Sequence, residues 1–463
     1  MTHSDVGQTG PDAVDPRQAT KEQRAWYFYD WANSAYVTTT ATVLFAPYLT
    51  VVAKEAGCPG QDSDLSCSTN LHVLGIPISP GSLAFYAVTF ATILSAFVLP
   101  VVGALADRSA HQRRILGGFA WVGAVAASAM WFVQGDNWQL GVLLLLIANL
   151  CLGGSLVVYD AILCQIAGPD DRDRVSSRGW ALGYLGGFIL LAINLALVTA
   201  HDSLGLTKGE AVRWSLLTAG IWWGAFTLIP YFGLRDRAPL NVAPVEGSLV
   251  REAFGQLGNT LRHLRGFPHT LKFLLAYLFF NDGIQTVIGV SSVYGAEQLG
   301  FSTNQLIETI LLVQLVAFGG ALLFGRAARR FGARDVVLSS LVLWAGVVAI
   351  GFFLPRGQFG LWLGLAVLIG VVLGGSQALS RSMYSQLVPR GREAEYFSLY
   401  QACERGTSWF GTLLFGIVHQ LTDSYRPAIL ALIVFFVLGG LILRTVDVRQ
   451  GIRDAGNVEP AIV

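Results

Sequence analysis

The chain has 463 residues, of which 53% are hydrophobic and 13% are charged, about half the charged share of a soluble domain. So few charges could not cover 27 Phe and 12 Trp in water, which excludes a soluble globular protein. With 31 Lys and Arg against 30 Asp and Glu the net charge is +1, so no overall field attracts nucleic acid. The composition predicts a polytopic protein whose surroundings are the lipid bilayer.

Long runs without charged residues mark the predicted membrane helices. A bilayer core of about 30 Å needs roughly 20 apolar residues per helix. Twelve runs qualify, at approximately 31–53, 82–106, 115–134, 139–167, 179–200, 214–234, 271–296, 304–325, 335–354, 359–380, 396–418 and 426–443. The prediction is a disordered tail at 1–23, two six-helix halves at 24–234 and 271–443 joined by a link at 235–270, and a second tail at 444–463.

The distribution of positive charge predicts the orientation, because positive links are retained in the cytoplasm. Most Lys and Arg lie in the two tails and in the links after spans 2, 4, 6, 8 and 10. The opposite face holds Lys54, Lys208, Arg213, Arg356 and Arg426. We therefore expect both termini to be cytoplasmic. The first 20 residues lack the apolar core of a signal peptide, and the excess of Arg over Lys suggests a GC-rich genome and a bacterial plasma membrane.

The loop between spans 1 and 2 contains two cysteines, Cys58 and Cys67. An oxidising compartment outside the cell would permit a disulfide between them. The sequence is equally compatible with two unpaired thiols, so both alternatives stay open.

The central link shows apolar residues at helical spacing, interrupted by arginines. The apolar set is Leu249, Ala253, Phe254, Leu257, Leu261 and Leu264, and the arginines are Arg251, Arg262 and Arg265. This pattern predicts an amphipathic helix on the cytoplasmic membrane surface. Its favoured role is a tether between the halves, and a docking site for a partner is the alternative.

The two halves carry matching sequences at a constant offset. Gly103 opens the link after span 2 and Gly325 opens the link after span 8, while Gly-Gly-Ser at 153–155 recurs at 374–376. The repetition indicates duplication of a six-span unit. Both copies begin in the cytoplasm, so the repeat is parallel, as in transporters whose halves rock about a site at the midplane.

The link after span 2 resembles the loop motif of the major facilitator superfamily, Gly-x-x-x-Asp-Arg-x-Gly-x-Arg-Arg. Its matching residues are Gly103, Asp107, Arg108, Arg113 and Arg114, and the second copy has Gly325, Arg330 and Arg334, with Arg329 in the acidic position. The resemblance implies a conformational latch, in which Asp107 accepts hydrogen bonds from a helix N-terminus or an arginine of the other half in one state. A solvated charged turn is the alternative.

A narrower resemblance covers most of the chain. RAWYFYDWANSAY at 24–36, RVSSRGWALGYLGG at 174–187, FLLAYLFFNDGIQTV at 273–287, GGSQALSRSMYSQLVP at 374–389 and EYFSLYQACERGTSWFGTLLFG at 395–416 look like the vacuole-effluxer-like branch of this superfamily. That implies a major facilitator fold of twelve transmembrane helices. Fungal members of the branch are associated with autophagy and amino-acid efflux.

A charged residue inside the bilayer must face a cavity or a partner, because it costs about 2.5–3.5 kcal/mol or more. Asp282 lies near the middle of predicted span 7 and is our first candidate for an acid that binds a proton or a substrate ammonium group. Asn281, Gln285, Asn33 and Gln377 are the predicted polar neighbours of this site. A carboxylate that only joins helices is the alternative.

Three charges near the cytoplasmic ends of spans 1, 4 and 10 form the second candidate group. The repeat offset maps Asp160 onto Arg381, so two-fold symmetry brings these opposite charges near each other. With Asp30 they predict a cytoplasmic gate, an ion pair that breaks when that side opens. A permanent ion pair and an Arg381 that snorkels to the interface are the alternatives. We expect structural roles for Glu404 and Arg405 in span 11.

The sequence lacks the motifs HExxH, GxSxG and GxxxxGK[ST] and paired CxxC, so we expect neither an enzyme nor a bound metal or cofactor. The function predicted is secondary transport of a small polar solute, such as an amino acid, by alternating access. Protons are the favoured coupling ion, and we expect a monomer. Export of a hydrophobic or lipid-like compound is one alternative, and a membrane scaffold or sensor that does not transport is another.

Overall fold

The structure, a computed structural model, describes residues 16–60, 67, 69–73, 75–240, 262–406 and 408–463. Within these ranges the regular secondary structure is helical apart from one antiparallel hairpin, in which Leu71–Val73 pairs with Ile76–Ile78. Eleven of the described helical stretches are long and apolar enough to cross a membrane. The predicted helical membrane fold is confirmed, and the small hairpin between spans 1 and 2 is an addition to it.

The first half contains six spans. Span 1 consists of Pro16–Tyr36, the π-helical segment Val37–Leu44 and Phe45–Gly57. Spans 2 to 6 are Leu83–Asp107, Gln112–Ala129, Trp138–Ile166, Arg172–Thr199 and Lys208–Gly233. Thr207 and Glu210 form a capping box at the start of span 6, which satisfies backbone N–H groups that would otherwise lack partners.

The second half repeats this arrangement with more interruptions. Spans 7 to 10 are Pro268–Val293, Thr303–Phe331, Ala333–Phe353 and Phe359–Gln386, and π-helical Tyr294–Gln298 extends span 7. Predicted span 11 falls in Glu393–Gly406 and Ser408–Thr422, and span 12 comprises Tyr425–Ala431 and Ile433–Arg444. Between spans 8 and 9, Gly332 has a φ of 84°, which strains any residue with a Cβ.

Several pairs of spans join the halves, and the two most extensive contacts are related by the repeat. Span 2 packs against span 11, and span 5 packs against span 8. Because span 8 is the repeat equivalent of span 2 and span 11 that of span 5, these are two copies of one contact, as a parallel repeat requires. Polar contacts between the halves gather at the end of the bundle that carries the links after spans 2, 4, 8 and 10, which we call the arginine-rich end. There Gln386 Nε2 donates to the Pro169 carbonyl at 2.7 Å.

The ends of the chain correct the prediction of a disordered tail over 1–23. Residues from Pro16 onward are helical, and residues 1–15 lie outside the described part. Buried polar contacts hold this stretch: Glu22 is 2.7 Å from Arg237, and Gln23 Nε2 donates to the Ile166 carbonyl at 2.9 Å. A hydropathy profile depends only on the apolar content of a sequence window, so it does not detect such pairwise contacts. The second tail also packs, through the short helix Val448–Asp454 and a 2.8 Å hydrogen bond from Asn457 to the Gln386 carbonyl.

Most of the predicted amphipathic helix in the link lies outside the described residues. That applies to Leu249, Arg251, Ala253, Phe254, Leu257 and Leu261. In the described remainder, Leu264 is buried while Arg262 and Arg265 are exposed. The helix and its role as a tether therefore stay a prediction.

Candidate functional site

The predicted latch residue Asp107 caps a helix of the opposite half. Its two carboxylate oxygens accept hydrogen bonds from the backbone N–H groups of Ala394 and Glu395, each at 2.8 Å. These N–H groups open the first helix of span 11, where unpaired donors and the positive end of the helix dipole favour an anion. Gly103, one turn earlier, permits this approach, because a Cβ there would lie 2.5 Å from the Ala394 carbonyl oxygen.

Arg113 of the first motif copy and the nearby His111 hold the start of the central link. His111 Nδ1 and Arg113 Nε lie 2.9 and 3.1 Å from the two oxygens of Asp236. Partial burial raises the pKa of Asp236, but hydrogen bonds from His111 and Arg113 lower it more in sum, so the carboxyl has a lowered pKa. The motif therefore secures the link as well as contacting the opposite half.

The second motif copy differs from the first. Gly325 packs closely against Ser177 of span 5, the equivalent of the Gly103 contact. Arg334 Nη2 donates to the Arg444 carbonyl at 2.6 Å, and Arg330 lies over the Phe331 ring at 5.3 Å, so both stay within the second half. Arg329 occupies the position equivalent to Asp107. The carboxylate that caps a helix of the opposite half therefore belongs to the first motif copy.

The three predicted gate residues meet between the halves. Arg381 of span 10 lies 3.0 Å from Asp30 of span 1 and 3.3 Å from Asp160 of span 4, and all three side chains are nearly fully buried. Its guanidinium also donates to the hydroxyl and the carbonyl of Ser176 in span 5, at 3.0 and 3.1 Å. One cation of the second half is thus inserted among acceptors from three spans of the first.

Aromatic rings enclose the Arg381 guanidinium. It lies 4.8 Å from the ring centroid of Trp26, 5.4 Å from Tyr159 and 5.3 Å from Trp180. Trp26 stacks on Tyr159 with centroids 4.2 Å apart, and its Nε1 donates to the Tyr159 carbonyl. These cation–π contacts add to the ion pairs in a region that excludes water. These three aromatic residues therefore pack around the arginine.

A glutamine of span 11, which the sequence did not single out, extends this cluster. Gln401 Nε2 donates to Asp160 at 2.8 Å and to Glu404 at 3.2 Å, and its Oε1 accepts from Arg405 at 3.3 Å. Arg172 was also missed: it is buried and donates to the Ser385 carbonyl at 2.6 Å. Both are polar residues on helices, and the sequence alone does not show which way their side chains point.

The residues predicted around Asp282 do not form one group. Gln377 Nε2 donates to Asn281 Oδ1 at 2.8 Å, and Asn281 Nδ2 donates to the Glu404 carbonyl at 3.2 Å, so these residues share a hydrogen-bonded chain. Asn33, in the first half, donates to the Tyr29 carbonyl of its own helix. Gln285 is partly buried.

Asp282 itself points to a different neighbour. A Cβ on Gly411 of span 11 would lie 3.1 Å from Asp282 Oδ2 and would clash with the hydroxyl of Thr286. Asp282 is fully buried, and neither of its carboxylate oxygens has a hydrogen-bond partner in the described part of the chain. The hydroxyl of Thr286, one turn on, is also buried without a partner there. Adjacent residues of a helix project about 100° apart, which explains why Asp282 and Asn281 separate.

A disulfide joins Cys58 and Cys67, the first of the two alternatives left open by the sequence. Among the described residues, no group of three or more His, Cys, Asp and Glu side chains is placed to hold a metal ion.

Comparisons with known proteins place this arrangement in context. Residues 18–456 match the family described as "Vacuole effluxer Atg22 like". The uncharacterized MFS-type transporter YxiO of Bacillus subtilis is 29% identical over 446 residues, covering 95% of this chain and 99% of the relative. Autophagy-related protein 22 of Kluyveromyces lactis is 25% identical over 485 residues, covering 96% of each chain.

Solved structures share the fold. The major facilitator transporter FucP in the outward conformation superposes with a TM-score of 0.66 at 12% identity, covering 92% of this chain and 99% of that one. A bacterial homologue of the iron transporter ferroportin, in the outward-facing state, gives 0.63 at 14% identity and covers 92% and 98%. At these identities the likeness establishes the fold alone.

Proposed function

The chain belongs to the vacuole effluxer Atg22-like family of major facilitator transporters, and from this membership we propose that it moves a small polar solute, such as an amino acid, by proton-coupled alternating access. We place it in a bacterial plasma membrane as a monomer with both termini cytoplasmic. The observation that carries the proposal is the burial of Arg381 between Asp30 and Asp160 of the opposite half.

These ion pairs act as a gate at the arginine-rich end. They join the halves, so a conformation that opens this end has to separate Arg381 from both carboxylates. Water that enters the opened end solvates the exposed charges. This solvation compensates for the lost ion pairs, because burying the charges had carried a large desolvation cost. The capping of span 11 by Asp107 breaks in the same movement, since its donor and acceptor also lie in different halves.

Asp282 is the proposed coupling acid. Among the described residues neither carboxylate oxygen of Asp282 has a hydrogen-bond partner of good geometry, and such a buried carboxylate is unfavourable as an anion, so binding a proton relieves its charge. Its position on a face of span 7 different from that of Asn281 separates the proton site from the hydrogen-bonded chain of Asn281 and Gln377. Proton release then requires a conformation in which water reaches Asp282.

The experiment is solute flux in proteoliposomes loaded with mixed radiolabelled amino acids under an imposed pH gradient. We expect the wild-type chain to show gradient-driven flux, Asp282→Asn to lose at least tenfold of it, and Glu308→Gln, an exposed carboxylate of neighbouring span 8, to retain it. Wild-type flux no higher than that of Asp282→Asn would contradict the proposal.

A further inference from the structure

Span 11 carries a glutamine that reaches the gate from the opposite half. Gln401 is almost fully buried, and its Nε2 donates to Asp160 Oδ2 of span 4 at 2.8 Å. The other oxygen of the same carboxylate, Oδ1, accepts from Arg381 Nη1 at 3.3 Å. Both oxygens of Asp160 are therefore held by the second half, one by a charge of span 10 and the other by a neutral amide of span 11.

The chemistry of the neighbouring side chains determines which way the Gln401 amide points. Its Oε1 accepts from Arg405 Nε at 3.3 Å, and its Nε2 also donates to Glu404 Oε2 at 3.2 Å. An arginine only donates and an ionised carboxylate only accepts, so a flipped amide would lose these hydrogen bonds. The flip would also turn the amide oxygen toward the Asp160 carboxylate. Arg405 and Glu404 thus keep the donating end of Gln401 directed at Asp160.

The ionisable groups near Gln401 belong to several spans. They are Asp160 of span 4, Arg381 of span 10, Asp30 of span 1, Tyr277 of span 7 and, on its own helix, Glu404 and Arg405. Span 2 packs against the same helix, but its Asp107 binds about two turns earlier, at Ala394 and Glu395. Without the amide, one oxygen of the buried Asp160 carboxylate would lose its donor from span 11, and a buried acceptor without a donor is costly.

We propose that Gln401 is a positioning residue of the gate, which holds the Asp160 carboxylate in the orientation that pairs with Arg381 and adds a second bond between the halves. The inference rests on the proposed gate and extends it to span 11. Opening of the arginine-rich end separates span 4 from span 11, so the bond from Gln401 to Asp160 breaks together with the ion pair. Closure then depends on a hydrogen bond from a neutral side chain as well as on charge.

The test compares two replacements of Gln401 that are close to it in size. Gln401→Leu removes the hydrogen bonds, and Gln401→Glu replaces the amide by a carboxyl group that donates only when it is protonated. The measurement is the distance between spin labels at positions 21 and 335, exposed in opposite halves at the arginine-rich end, in acidic and in alkaline buffer.

We expect the wild type to show mainly the short distance in both buffers. Gln401→Leu should raise the ratio of open to closed populations about tenfold in both, as expected for the loss of one hydrogen bond to a charged group. Gln401→Glu should open at least as far in alkaline buffer, because the introduced carboxylate repels Asp160 and Glu404. It should close again in acidic buffer, because the protonated carboxyl donates to Asp160 and accepts from Arg405 as the amide does.

Gln165→Glu is the matched control. Gln165 lies in span 4 near the same end, and its Nε2 donates to Gln112 Oε1 within the first half. It should show the wild-type distances in both buffers. Gln401→Leu contains the same native carboxyl groups as Gln401→Glu, so a pH response seen in Gln401→Glu alone belongs to the introduced carboxyl.

Wild-type distances in Gln401→Leu would overturn the proposal. A lower Tm with wild-type distances would do the same, because it would show that Gln401 only packs the bundle. A pH response shared by Gln401→Glu with either Gln401→Leu or Gln165→Glu would also overturn it. If Gln401→Leu does not fold, the comparison of Gln401→Glu with itself in the two buffers decides the question.

Arg381→Gln separates failure of this inference from failure of the gate. Open distances in Arg381→Gln together with closed distances in Gln401→Leu would overturn the role of Gln401 and leave the gate standing. Closed distances in both variants would count against the gate and the inference alike.

Discussion

Two arginines lie inside the bundle on spans of the second half, and their surroundings differ. Arg381 has two carboxylates, a serine and three aromatic rings as partners, all from the first half. Arg405 donates to one glutamine and interacts electrostatically with Glu404, the adjacent residue of its own helix. The counter-charge of Arg381 thus comes from the opposite half, whereas that of Arg405 comes from its own helix. Only the first pairing has to break when the halves separate.

Asp282 differs from both arginines. Both of its oxygens lack hydrogen-bond donors among the described residues, although it is fully buried. A proton neutralises an isolated carboxylate, which is the basis of the proposed coupling role of Asp282.

The largest expected effect is that of Arg381→Gln. Removing the cation leaves Asp30 and Asp160 buried near each other without compensation, and breaking a buried pair in this way costs about 3–5 kcal/mol. We expect a marked fall in Tm and at least a tenfold loss of flux. The measurement is a thermal unfolding curve together with proteoliposome flux, with Arg356→Gln as the control. A variant that matches wild type in both would remove the distinction between the two interior arginines.

A charge exchange sharpens the same prediction. Asp160→Arg should be inactive, because it places two arginines beside each other. Adding Arg381→Asp restores opposite signs at 3.3 Å and should recover part of the flux. If the double variant recovers nothing, the direct pairing of these residues as a gate loses its support.

The next effect in size concerns the latch. A Cβ on Gly103 would lie 2.5 Å from the Ala394 carbonyl oxygen, whereas a Cβ on the exposed Gly118 would meet nothing within 4 Å. Overpacking costs about 1–3 kcal/mol, so Gly103→Ala should destabilise closure of the arginine-rich end. Spin labels at positions 21 and 335, exposed in opposite halves at this end, should show a larger population at long distance. Identical distance distributions for Gly103→Ala and Gly118→Ala would count against the latch.

The sequence predicted those features that depend on composition and repetition. Hydropathy located the spans, because membrane helices need long apolar runs. The offset between Gly-Gly-Ser at 153–155 and at 374–376 aligned Asp160 with Arg381, which lie 3.3 Å apart. The roles of these residues as a gate remain a proposal. An internal repeat implies two-fold symmetry, and this symmetry is sufficient to bring two equivalent helix ends together.

Features that depend on side-chain direction or on distant pairing were not predicted. Asp282 and Asn281 are adjacent, and only the packing of Gly411 and Gln377 against span 7 shows that they face different neighbours. The helix at Pro16 is held by Glu22 through Arg237, which is 215 positions away. A window of hydropathy averages over such residues, and it also gives no reason to treat Arg405 differently from Arg381.

The smallest expected effect concerns a charge pair near the surface. Water screens this pair, in contrast to the buried ion pairs of Arg381. Asp236, 21% exposed, meets His111 and Arg113, and partial burial raises its pKa less than those hydrogen bonds lower it. Because the folded pKa lies below the unfolded value of about 3.9, Asp236 stabilises the fold above that value and loses this contribution as the pH falls through the folded pKa. Asp236→Asn should therefore flatten the acid side of the Tm profile slightly, since exposed pairs contribute about 0–1 kcal/mol. Asp335→Asn is the matched exposed control, and an equal change in both variants would show that the Asp236 contacts add nothing to stability.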